Sequence, residues 1–141
     1  MKIFVSGQIQ DVEAVHDIQQ KLIRAGHSIT HDWTQNETGN NTMLASDADK
    51  LKDIDETARR AKLDIQGVIA CDAFVLCTDN QHVGKGMYAE LGAALALAVS
   101  RGTPRVYVVG AQRHMSVFYF HPLAVHKETI DEVIEELNAQ K

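Results

Sequence analysis

The chain has 141 residues, 45% apolar and 23% charged, with a formal net charge of -5 at pH 7. That length suffices for one domain with its own core, so a single domain over residues 1–141 is expected, needing neither disulfides nor metal for support. The acidic balance excludes general attraction to nucleic acid or anionic membranes, and no apolar run is long enough for a signal peptide or a bilayer span, so a cytoplasmic protein with no membrane or nucleic-acid partner is expected.

Residues 2–6 (KIFVS) are a short apolar run ending in Ser6-Gly7 and read as a buried first strand, whose carboxyl end should face any ligand. Over residues 11–25 the apolar positions Val12, Val15, Ile18, Leu22 and Ile23 recur at helical spacing, and Gly26 follows as a stop. Residues 28–30 form a candidate second strand with His31, Asp32 and Trp33 at its carboxyl end. His31 and Asp32 there could hydrogen-bond to a flat ligand on which Trp33 stacks, or the tryptophan could simply cover the sheet edge. Residues 34–42 are polar and turn-rich, hence a loop.

One long helix is predicted over residues 47–69, with Leu51, Ile54, Ala58, Ala61, Ile65 and Val68 as a continuous apolar stripe. Asp64 lies at the border of that stripe, where it could look into a crevice. The unbroken apolar run at residues 73–77 is expected at the centre of a parallel sheet. Cys71 and Cys77 flank it at positions too far apart to bridge and read as core thiols. The seven histidines show no metal-ligand spacing, so neither a metal nor another cofactor is expected.

Residues 78–86 (TDNQHVGKG) have the composition of a ligand loop, with Gly84 and Gly86 permitting close approach to the main chain. They lead into an alanine-rich helix in which Glu90 precedes the apolar run 91–99. In the first turns of that helix, unpaired amides and the dipole would keep Glu90 ionised, as a nucleophile requires. A strand follows at residues 105–109, then an irregular aromatic segment over 111–122, a short strand at 123–126 and a closing helix over 128–138 with Ile130, Val133, Ile134 and Leu137 at helical spacing. This alternation implies an α/β fold: a five-stranded parallel sheet in flavodoxin-like order 2-1-3-4-5 with helices on both faces.

On three features the sequence resembles the nucleoside 2-deoxyribosyltransferase superfamily, which includes the deoxynucleoside 5'-monophosphate N-glycosidases. These are the first strand ending in Ser6-Gly7, Asp64 standing eight residues before Asp72 at the head of a central strand, and the Gly84-x-Gly86 turn leading to Glu90-Leu91-Gly92. The resemblance implies Glu90 as the nucleophile that forms a glycosyl-enzyme ester and Asp64 as the acid, then base, that handles the proton on the leaving base. It further implies substrate contacts from Ser6, Gly7, Gln8, Asp32, Trp33, His82, Gly84, Gly86 and Met87, with a small-molecule nucleoside or nucleotide as the partner. A homo-oligomer is implied too, in which Ser116, Phe118, Tyr119 and His121 reach a neighbour's site. The chain departs from the family's patterns in carrying Gln8 and Gln10 where the monophosphate N-glycosidases have a serine and an arginine, and His82 near the place of a sugar-orienting aspartate. Transfer and hydrolysis remain equally open, beside two other readings: a non-catalytic nucleotide-binding module and an NAD glycohydrolase.

Overall fold

The computed structural model describes residues 1–35, 46–78 and 85–140. The polar loop expected over 34–42 falls mostly outside them, as do His82 and Gly84.

Five strands, β1 (Lys2–Ser6), β2 (Ser28–Ile29), β3 (Ala73–Cys77), β4 (Arg105–Val109) and β5 (Ala124–Lys127), pair in parallel in the order β2-β1-β3-β4-β5. This is the order expected from the alternation of apolar runs. The central strands are apolar on both sides because both faces are covered. Ile3, Val5, Val75 and Tyr107 pack under α1 (Val12–Arg24) and α5 (Ile130–Ala139). Phe4, Phe74, Leu76 and Val108 pack on the opposite face with α3 (Ile54–Ala70) and α4 (Gly86–Arg101). Burial of Ile130, Val133 and Leu137 stabilises the docking of α5 by roughly 1.5–3 kcal/mol per side chain, before the entropic cost of ordering the chain.

Helix ends follow local chemistry. Gly26 and Gly102 adopt positive φ just beyond α1 and at the C-cap of α4, a conformation that costs a residue with a Cβ. The long helix expected over 47–69 is instead two helices, α2 (Asp47–Lys52) and α3, broken at Asp53. Asp53 leaves the helical region and its side chain accepts the Glu56 amide, so an internal N-cap interrupts a continuous apolar pattern. Ser46 and Asp49 form a capping box at the start of α2.

Apart from Val68, the stripe read along this segment also faces outward rather than onto the sheet. Leu51 is 72% exposed and Ile54 66%, and Ile65 is exposed as well. The side turned inward carries Gly67 and Val68, with Asp64 partly buried one turn before them. A Cβ on Gly67 would stand 2.8 Å from the Phe4 ring and 2.9 Å from His31 Cβ, so the missing side chain is what lets α3 close against β1 and the end of β2. Among the described residues no helix is long and apolar enough to cross a membrane.

Candidate active site

Ser6, the last residue of β1, points to the α3/α4 face. It is fully buried, and its hydroxyl donates to Glu90 Oε1 at 2.7 Å. Glu90 is 8% exposed, the one buried acid among the described residues. The bond from Ser6 ties the carboxyl end of β1 to the first turns of α4.

Glu90 is not held ionised in the way the helix end suggests. It is the fifth residue of α4, where the dipole's influence has largely faded. Burial is the larger effect and pushes its carboxyl up to about 8; the charge of Asp64 raises it further, while the Ser6 hydrogen bond acts in the opposite direction. Asp64 is itself pushed up to about 6 by burial, partly offset by the Arg60 charge. Its Oδ1 is closed off from solvent without a hydrogen bond, with His31 Nε2 at 3.6 Å. His31 is in turn shifted below the usual imidazole range, chiefly by its own burial, so it is a neutral neighbour near pH 7. The charge of Asp64 thus reaches Glu90, although the two acids are distant in the chain. Such a pair gives up its protons in two steps that belong to both groups.

The other expected site residues are placed as follows. Gly7 is held against α1, where a Cβ would lie 2.6 Å from Val15 Cγ2. Gln8 is buried and lines a cavity on the α1/α5 face whose walls include neither Glu90 nor Asp64. Asp32 accepts the Thr34 amide at 3.0 Å, and Trp33 Nε1 donates to the Val5 carbonyl at 2.7 Å, which fixes the indole at the top of the sheet. Gly86 begins α4 in open space and has no positive φ, so conformational freedom is not what the sequence uses it for here. Met87 is buried in the α3/α4-side core.

In the aromatic segment, residues 117–120 form a short 3-10 helix capped by Ser116, whose Oγ accepts the Phe118 amide at 3.3 Å. Phe118 is exposed and His121 half-buried. Tyr119, expected to reach a neighbour, is instead buried in its own chain against the Tyr88 ring, while Val117, Phe118 and Phe120 of the same turn are exposed. Two residues of the site escaped the sequence reading. In the sequence His31 stands out only as part of an aromatic ligand contact, and Gly67 is one more residue in a helical pattern. The adjacency of His31 to Asp64 arises only once α3 closes on β1. No group of residues suited to hold a metal ion occurs among the described residues.

No protein-family model and no curated protein matches the chain. Among solved structures it is similar to that of the Clostridium botulinum CMP N-glycosidase BcmB, with a TM-score of 0.58 and 15% identity over 98% of this chain and 99% of the other. The fold is therefore shared along the whole length of both chains.

Proposed function

We propose that this protein cleaves the N-glycosidic bond of a nucleoside or nucleoside 5'-monophosphate, with Glu90 as nucleophile and Asp64 as proton donor to the leaving base. The observation that carries this reading is the buried Glu90 carboxyl, held by the Ser6 hydroxyl at 2.7 Å at the carboxyl end of β1, with the partly buried Asp64 near enough for its charge to act on it. The fold shared with a CMP N-glycosidase supports the choice of bond.

In the productive state the pair carries one proton, on Asp64. The Glu90 carboxylate attacks the anomeric carbon as the C–N bond breaks, and the Asp64 proton goes to the departing base nitrogen. The resulting ester is released by water that gives its proton to the Asp64 carboxylate, or by the nitrogen of an acceptor base. The first outcome is hydrolysis and the second transfer. Without substrate the higher proton affinity lies with Glu90, because burial outweighs the Ser6 hydrogen bond; the productive state is reached when that proton moves to Asp64, a shift that the hydrogen bond from Ser6 favours.

The same reading includes a homo-oligomer. Ile54 on α3, Val99 on α4, and Val117, Phe118 and Phe120 on the aromatic segment expose apolar side chains that a second copy would cover. Sedimentation at micromolar concentration should give a mass above that of one chain; a monomeric mass contradicts it.

Incubation with a panel of nucleosides, 5'-monophosphates and NAD, with and without an acceptor base, followed by chromatography of free base, tests the activity. Release from at least one nucleoside or monophosphate is expected, and no base from any of them refutes it. A second reading is favoured by the high proton affinity of Glu90, which suits a site that binds a nucleotide without attacking it. Tight binding with full recovery of intact ligand would support that reading.

A further inference from the structure

On the face covered by α1 and α5, a cavity of about 200 Å³ opens at the carboxyl ends of β1, β3 and β4. Its apolar surface comes from Val15, Ile18 and Ile130, and its polar surface from Gln8, Asp11 and Glu128. Both charged residues along it are acids, and no lysine, arginine or histidine lines it. Lys21, further along α1, is engaged with Asp131 of α5 at 3.4 Å and is not part of the wall.

Gln8 is the unusual member. It is 4% exposed, and its Nε2 donates to Asp11 Oδ2 at 2.7 Å, which fixes the orientation of the amide. Its Oε1 is left buried with no hydrogen-bond partner. An unpaired buried acceptor is costly, and a ligand that brings a donor recovers that cost. The nearby start of α5 does not call for an anion, because Thr129 Oγ1 already accepts the Glu132 amide and the Glu132 carboxylate accepts the Glu128 amide.

We propose that this cavity binds a small organic ammonium ion. Its compact hydrocarbon part would lie against Val15, Ile18 and Ile130, and its N–H groups would be shared between the Gln8 carbonyl and the carboxylates of Asp11 and Glu128. The limited volume, below the range of about 300–1,000 Å³ usual for larger ligands, restricts the occupant to a short branched or cyclic monoamine. This site is separate from the acid pair, and its occupancy does not depend on the glycosidase reading.

The probe is isopentylamine, compared with isopentanol and isovalerate, which keep the hydrocarbon but replace the cation by a neutral group or an anion. Binding is followed by methyl resonances of Val15, Ile18 and Ile130 and by calorimetry. Saturable binding of the amine, at least tenfold tighter than of the alcohol and with no binding of the carboxylate, is expected. Ile18→Trp should fill the cavity and abolish binding, and Gln8→Met, which removes the acceptor at similar volume, should weaken it at least tenfold. Glu90→Gln should leave it unchanged. Equal binding of amine and alcohol, no binding at all, or binding lost in Glu90→Gln but kept in Ile18→Trp would overturn the proposal.

Discussion

The two faces of the sheet are built on different terms. On the α1/α5 face the amphipathic helices turn their apolar sides inward, and Val15, Leu22, Val133 and Leu137 are essentially inaccessible to solvent. On the opposite face α4 packs with an apolar side, but α3 turns Asp64 and Gly67 inward and leaves Ile54, Ile65 and Ile69 exposed. One face is thus a conventional core. The other gives up apolar burial near its upper end to hold two acids, and keeps an outward apolar surface that only another molecule could cover. Amphipathic periodicity therefore reports that a helix has a greasy side, but not which way that side points.

Because of this contrast, changes at the acid pair should affect activity far more than changes in the conventional core at equal cost in stability. The largest effect is expected for Glu90→Ala, which should reduce base release to near the uncatalysed rate in the chromatographic assay while leaving the circular dichroism spectrum native. Asp64→Asn comes next. It should lower kcat by about 10²–10⁴-fold, the usual contribution of a positioned acid, with a smaller loss for substrates whose leaving base needs no proton.

Glu90→Gln sharpens the comparison through stability. The ordinary carboxyl of an unfolded chain titrates near 4.5, while that of folded Glu90 does so near 8. Below about pH 4.5 both states hold the proton and the residue contributes no difference. As pH rises from there through 8 the unfolded state gives up its proton first, so native stability falls across this window and the deficit is full above it. Glu90→Gln removes that penalty, so chemical denaturation should find the variant more stable than the parent by a few kcal/mol at about pH 9, with the gap closing toward pH 4.5. The smallest effect is expected for Gly67→Ala. Its added methyl must displace the Phe4 ring or His31, and the melting temperature should drop by an amount corresponding to about 1–3 kcal/mol, with base release falling as Asp64 moves out of register.

Much of this architecture is legible in the sequence. Unbroken apolar runs such as residues 73–77 and 105–109 can satisfy little else than a buried parallel strand, and their alternation with helical patterns fixes the order of the sheet. Asp64 is legible as an acid at the border of an apolar stripe, and the structure brings its charge to bear on Glu90. The break at Asp53 was present in the chain as an acid three residues before Glu56, but was hidden because the apolar spacing runs on across it. The helix-end argument for an ionised Glu90 fails because the residue lies one turn too deep in α4, where desolvation outweighs the dipole. The importance of Gly67 was invisible, since it depends on Phe4 and His31, two residues far away in the chain.

The central claim is that Glu90 and Asp64 form one coupled pair with a single proton near neutral pH. Carbon-detected NMR titration of the two side-chain carboxyls tests it most directly. Two linked steps are expected, near 6 and near 8, with the Glu90 step moving down when Asp64 is replaced by asparagine. Two independent titrations near the ordinary carboxylate values, unaffected by that substitution, would contradict it.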